Sequence, residues 1–272
     1  MFHGLLLTFI FQKIKKNMKF KLLFLAIMVQ STFSTFGQTK TVEYKDGNQI
    51  LSGISVKPSK PLKNNPGILI LPAWMGIDDH AKDSANRLAD LGYTAFVADI
   101  YGVDQRPTNY AEAGKKAGYF KKNIKKYQTR IQLALDQLVK QGVNPEDIVV
   151  MGYCFGGSGA IEAARTNMNV KGIVSFHGGL GRDETRTIET ITPKVLILHG
   201  ADDPYESKEE IEKLQNEMRT AKADWQMTYY ANAVHSFTDK NAGNDNSKGA
   251  AYNEKAEKRS WEALLTFLKE VL

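Results

Sequence analysis

Cys154 is the single thiol of a chain of 272 residues. It stands at the centre of Gly152-Tyr153-Cys154-Phe155-Gly156-Gly157, after the apolar run Ile148-Val149-Val150-Met151 and before a helical pattern at 157–166. This is a glycine–any–nucleophile–any–glycine turn between a strand and a helix. Reversing a strand into a helix within so few residues forces strained backbone on the central residue. Glycines on either side let strand and helix approach closely. A thiol held there sits at a helix N-terminus, which favours thiolate. The N–H of Phe155 is then placed to receive a developing oxyanion. The competing reading is a small buried cysteine in a glycine-rich turn. A dinucleotide fingerprint fits less well, because Gly157-Ser158-Gly159 lacks the third glycine.

An acid and a base follow in hydrolase order. His199-Gly200-Ala201-Asp202-Asp203-Pro204 comes after the apolar run 195–198, and Ala233-Val234-His235-Ser236-Phe237 comes after 225–230. His235 would deprotonate the thiol and later activate water. An aspartate would orient the imidazole and stabilise its charged form. Asp202 and Asp203 compete for that role. The spacing Gly200-x-x-Asp203-Pro204 favours Asp203, and a helix cap before 207–219 is the plain alternative for either. His177 and His199 also end apolar runs, and are read as hydrogen-bonded neighbours of the pocket. Asp78-Asp79-His80 is read as a helix cap at residue 79. No further ligands stand at metal spacing, so no metal site is expected.

These residues need a scaffold, and the pattern supplies one. Apolar runs at 67–71, 94–98, 148–151, 172–176, 195–198 and 225–230 read as buried strands. They alternate with helical patterns at 79–91, 123–140, 157–166, 207–219 and 254–271. Continuous apolar strands alternating with helices specify a mostly parallel, doubly wound α/β sheet covered on both faces. Residues 41–44 and 49–55 come first with no helix between them and suit an antiparallel edge. In such sheets ligands bind beyond the carboxyl ends of the strands. Cys154, Asp203 and His235 all follow apolar runs. The polar stretch 239–250 reads as a mobile loop.

Charge narrows the partners. The net charge is +6, but residues 1–37 carry five lysines and no acid. The remainder holds 31 basic against 30 acidic residues. It has no excess charge for phosphates, so nucleic acid is not an expected partner. Lys19 and Lys21, the apolar run 22–29 and small residues Thr35 and Gly37 form the pattern of a secretory signal peptide. The run is too short for a stable membrane span. Residues 1–37 are thus expected to be removed, with translation starting at Met1 or at Met18. Residues 40–272 then form one domain, periplasmic or secreted. The alternative is an uncleaved anchor. A single cysteine excludes an intrachain disulfide.

Taken together, these residues resemble the dienelactone hydrolase family of α/β-hydrolases. The matching pieces are 152–157, 199–204 and 233–237, joined by Val97-Ala98-Asp99-Ile100-Tyr101-Gly102 and Leu71-Pro72-Ala73-Trp74-Met75-Gly76. The resemblance implies an α/β-hydrolase fold without a cap domain, a Cys154–His235–Asp203 triad, a second oxyanion donor at the backbone N–H of Trp74, and no cofactor. Two positions depart from the founding enzymes. Ala73 stands where they carry a glutamate that helps switch the thiol to thiolate, and Asp239 where they carry a substrate-binding arginine. A neutral ester or lactone is therefore expected in place of the founding dienelactone. Trp74, Tyr101, Phe155 and Phe237 would line an apolar pocket, with His177 beside it. A thioesterase or amidase shares the same chemistry. A non-catalytic binding protein and a thiol-redox protein are the other classes. The intact triad speaks against the first, and the lack of a resolving cysteine against the second.

Overall fold

A computed structural model describes residues 38–272 of the chain. The leader read at 1–37 lies outside the described residues. Eight strands form one sheet in the order β1-β2-β4-β3-β5-β6-β7-β8. They are β1 (Gln38–Asp46), β2 (Gln49–Lys57), β3 (Gly67–Leu71), β4 (Thr94–Val97), β5 (Ile148–Tyr153), β6 (Gly172–Phe176), β7 (Lys194–Gly200) and β8 (Trp225–Tyr230). β1 pairs antiparallel with β2, and β2 antiparallel with β4. Every other pairing is parallel. The two leading strands are the antiparallel edge expected from the missing helix between them. This is the α/β-hydrolase architecture, with no separate cap domain among the described residues.

The helices are α1 (Asp79–Asp90), α2 (Tyr110–Lys122), α3 (Ile124–Lys140), α4 (Phe155–Arg165), α5 (Lys208–Thr220) and α6 (Glu254–Val271). Alternation along the strands sorts the core into two layers. On β3, Ile68 and Ile70 face a layer built with Leu88 of α1 and Trp261, Leu264 and Phe267 of α6. Leu69 and Leu71 face the other layer, with Ile131 of α3, Ile161 of α4 and Leu214 of α5. Side chains buried on both faces explain the unbroken apolar runs. Truncating one of them, such as Leu264 to alanine, costs about 2–5 kcal/mol in transfer and cavity terms. Among the described residues no helix is long and apolar enough to cross a membrane.

Three local details differ from the sequence reading. Helix α4 starts at Phe155, directly after Cys154 and two residues earlier than its apolar pattern suggested. Asp78, not residue 79, caps α1; its carboxylate accepts from the N–H of Ala81 at 2.9 Å. Helix α2 carried no apolar stripe to announce it, because it buries only Ala113, Ala117 and Phe120. Its signal lay in the cap: Asn109 accepts from the N–H of Glu112, and Glu112 reaches back to the N–H of Thr108.

Candidate active site

The turn around Cys154 is built by close packing. A methyl group on Gly152 would collide with the carbonyl of Gly156, and one on Gly156 with the carbonyl of Leu71. Any side chain at either position pushes α4 off the ends of β3 and β5. Between them Cys154 holds φ 53° and ψ −114°. That left-handed strain is maintained by a hydrogen bond from its N–H to the carbonyl of Phe176, at 3.0 Å. Phe155 is fixed between two rings. Tyr127 stacks at 4.5 Å on one side and Tyr101 at 5.8 Å on the other. Tyr127 also donates its hydroxyl proton to the Phe155 carbonyl at 2.8 Å. The N–H of Phe155 favours the ionised form of the Cys154 thiol.

Asp203 and His235 meet beyond the ends of β7 and β8. His235 Nδ1 lies 2.8 Å from Asp203 Oδ2. The other carboxylate oxygen accepts from the N–H of Tyr205 at 3.0 Å. The Asp203 side chain has no exposed surface, whereas Asp202 is exposed. Gly200 permits this approach, since a methyl there would sit 2.6 Å from the Ala233 carbonyl oxygen. The cap of α5 is neither aspartate but Ser207, in a reciprocal arrangement with Glu210. The His235 backbone is clamped from outside: its N–H donates to Gly249 O at 3.1 Å, and its carbonyl accepts from Ala251 N at 3.0 Å. The stretch 239–250, read as a mobile loop, contains two short 3-10 turns and closes that clamp.

Charge in the site follows from these contacts. Burial opposes ionisation of the Cys154 thiol. The hydrogen bond and positive charge of His235, the Phe155 N–H and the Lys121 ammonium outweigh it, and the thiol pKa falls. Burial likewise disfavours a charged His235. Hydrogen bonds to Asp203 and Cys154 overcome it and push the imidazole up to about 10. The two shifts describe one coupled pair, thiolate beside imidazolium. Iodoacetamide should therefore alkylate Cys154 rapidly at pH values below the ordinary thiol range of about 8.5. In a His235→Asn variant the rate should rise only as pH approaches that range. Equal pH profiles for the two proteins would contradict the pairing.

The remaining predicted site residues fall in two groups. Trp74 is exposed and Tyr101 is buried beneath it, at 3% exposure. Tyr101 donates to the Trp74 carbonyl at 2.8 Å, fixing that peptide, and the Trp74 indole stacks on Tyr110 of α2 at 5.6 Å. Ala73 is half-buried and packs on the core, with no carboxylate in its place. Phe237 and His177 lie beneath the site, at 0% and 2% exposure. Phe237 packs its ring against His177 at 5.1 Å, so it is core in this structure and presents no surface to a pocket. His177 packs edge-on to His235 at 5.3 Å, and its Nε2 lies 2.8 Å from Thr238 Oγ1. Burial and the neighbouring His235 hold its pKa well below the usual histidine range, so the ring is neutral. His199 is also buried and depressed by burial, with its ring edge on Tyr229.

Sequence reasoning passed over three neighbours. Tyr205 presents its ring edge-on to His235 at 5.2 Å. Its position two residues after Asp203 was the available signal. Lys121 and Glu206 come close through folding alone, and no local pattern marks them. Asp239, expected at the pocket, instead accepts from the N–H of Asn241 and acts on Asp78 and His80. The cation acting on the thiol from outside the His–Asp pair is Lys121. Among the described residues no cluster of His, Cys, Asp and Glu could hold a metal ion.

Comparison with known proteins gives this geometry a setting. The profile of the Dienelactone hydrolase family matches residues 51–272. The crystal structure of a dienelactone hydrolase-like promiscuous phosphotriesterase, P91, from metagenomic libraries superposes with a TM-score of 0.79 at 37% identity. It covers 86% of this chain and 98% of its own. A structure titled m3DLH superposes with a TM-score of 0.82 at 34% identity, covering 87% and 99%. A Bradyrhizobium protein, named a probable 2-oxo-3-(5-oxofuran-2-ylidene)propanoate lactonase, is 23% identical over 75% of this chain and 83% of its own.

Proposed function

The chain belongs to the Dienelactone hydrolase family and is a hydrolase of esters or lactones, and we propose that it works through a Cys154–His235–Asp203 triad and an acyl-thioester. The carrying observation is the buried Asp203–His235 contact at 2.8 Å, with the same imidazole acting on a thiol of lowered pKa. The thiolate sulfur attacks the substrate carbonyl carbon. The carbonyl electrons move to oxygen, where the N–H groups of Phe155 and Trp74 stabilise the charge. Collapse expels the alcohol oxygen, which takes its proton from His235. The imidazole, now neutral, removes a proton from water. The hydroxide attacks the thioester, and the acid leaves with thiolate restored beside imidazolium.

Asp203 does not take up the proton. It holds Nδ1–H in place, so that Nε2 faces the sulfur, and it stabilises the imidazolium. Ala73 removes the carboxylate that the founding enzymes use to help ionise the thiol. Here the neighbouring His235 favours the thiolate. Residues 1–37 direct export, so the enzyme works in the periplasm or the medium on a small ester or lactone.

A rapid-quench experiment with nitrophenyl acetate tests the intermediate. Mass spectrometry of the quenched protein should find one acetyl group on the peptide that contains Cys154, formed in a burst equal to the enzyme concentration. Burst release of nitrophenol with the acetyl group on another residue, or with no adduct, would overturn the thioester route.

A further inference from the structure

The end of β6 touches both halves of the proposed triad. Phe176, its last residue, accepts the Cys154 N–H on its carbonyl at 3.0 Å. That bond holds the strained turn at Cys154. The next residue, His177, turns away at φ 38°, a left-handed value uncommon for a residue with a side chain. Its own N–H is tied to the carbonyl of Leu198 on β7 at 2.8 Å. This turn places its ring in the core beneath His235, at 2% exposure. The two imidazoles meet edge-on at 5.3 Å. His177 Nε2 lies 2.8 Å from the hydroxyl of Thr238, in the loop that carries His235. Two consecutive residues therefore hold the backbone of the thiol and the ring of the base.

The His177 ring is confined by its neighbours. Phe237 packs edge-on at 5.1 Å, and Tyr153 of β5 tilts against it at 6.0 Å. The Tyr153 hydroxyl is engaged with Ser84 at 2.9 Å. The titratable groups acting on His177 are His235 from the loop after β8, His80 from α1 and His199 from the end of β7. Each would repel a further positive charge, and burial adds to that, so His177 stays neutral. Among the described residues its Nδ1 has no hydrogen-bond partner. A buried donor without an acceptor is rarer than a lone pair without a donor. The proton therefore sits on Nε2 and is donated to Thr238. Packing alone would be served here by a phenyl ring, as at Phe176 and Phe237. What the imidazole adds is a fixed polar tie to the loop of His235.

We propose that His177 is a positioning residue, which through Thr238 and through ring contact holds His235 in the orientation that pairs it with Cys154. The proposal rests on the Cys154–His235–Asp203 mechanism above. Asp203 fixes the His235 imidazole at Nδ1, at 2.8 Å. One such bond sets a direction and leaves the ring free to tilt about it. The bonds to Gly249 and Ala251 fix only the His235 backbone. Tyr205 touches the ring edge-on at 5.2 Å, but it is itself 57% exposed. His177 is the buried contact, and with Asp203 it sets the plane of the imidazole. Small displacements of a catalytic group cost up to about 10²-fold in rate. His177 exchanges no proton in the reaction and acts only through His235.

The test uses Thr238→Val, which keeps the shape and removes the hydroxyl, Thr238→Ser, which keeps the hydroxyl, and His177→Phe, which keeps a buried ring. Each is assayed on nitrophenyl acetate and for the pH dependence of Cys154 alkylation by iodoacetamide, beside a thermal melt. Thr238→Val and His177→Phe should lower kcat by about 10- to 100-fold with little change in KM. Both should move the alkylation midpoint up by about 0.5–1 pH unit, toward the ordinary thiol range. Thr238→Ser should stay close to wild type in both readings. The double variant His177→Phe/Thr238→Val should be no worse than the worse single one, because both break the same tie. A residue that only supports the fold would lower the melting temperature and leave the rate per folded enzyme and the alkylation profile unchanged, and that result overturns the proposal. If His177→Phe does not fold, the Thr238 pair decides: a valine variant with wild-type kcat and profile overturns it. Alkylation of wild-type Cys154 that leaves ester turnover intact brings down the mechanism and the positioning role together. Alkylation that abolishes turnover, with the variants unaffected, brings down the positioning role alone.

Discussion

Cys154→Ala should lower ester turnover by at least ~10⁴-fold, with the fold intact. In the proposed mechanism, losing the Cys154 sulfur leaves only oxyanion stabilisation and binding. The sulfur is half-buried and carries no core packing comparable to Phe155 or Tyr127, so its loss makes no large cavity. The strained φ of 53° is no worse for alanine than for cysteine. The measurement is kcat/KM on a nitrophenyl ester beside a thermal melt. Turnover within tenfold of wild type would remove Cys154 from the mechanism. Cys154→Ser should recover little. A hydroxyl has a far higher pKa than a thiol, so it cannot form the anion that holds His235 charged, and the site is built around that pair.

Asp203→Asn should cut kcat by about 10⁴-fold, and Asp202→Asn by less than tenfold. The Asp203 carboxylate accepts from His235 on one oxygen and from the Tyr205 N–H on the other. An asparagine can keep one of these contacts only by presenting an NH₂ group to the other donor. It also removes the charge that stabilises imidazolium. Asp202 offers the site only its backbone, which donates to the Ala233 carbonyl at 3.0 Å and survives the substitution. The pH profile gives a second reading. His235 is held up to about 10 by Asp203 and Cys154 together. The active thiolate–imidazolium form appears as pH rises through the lower apparent pKa of the pair, and it is lost as pH rises through the upper one. Removing the Asp203 charge should move the alkaline limb of kcat/KM to lower pH. An alkaline limb that stays in place, or a larger loss at Asp202, would reverse the assignment.

The sequence alone determined the sheet and the chemistry placed along it. Runs such as 67–71 and 148–151 are apolar at every position, which only a strand covered on both faces needs, and the helical stripes between them close the parallel crossovers. The order Cys154, aspartate, His235 was legible because each residue follows its own strand, and strand ends are local features of the chain. The glycines around Cys154 were legible for the same reason, since the turn they permit spans six residues. What the tertiary structure alone decided depends on residues far apart in sequence. Asp202 and Asp203 are neighbours with the same side chain. Only the 2.8 Å approach of a loop 32 residues later separates the buried one from the exposed one. Phe237 and His177 resembled pocket residues by position, yet their side chains turn into the core. The direction a side chain takes after a strand end is set by what packs there, not by spacing.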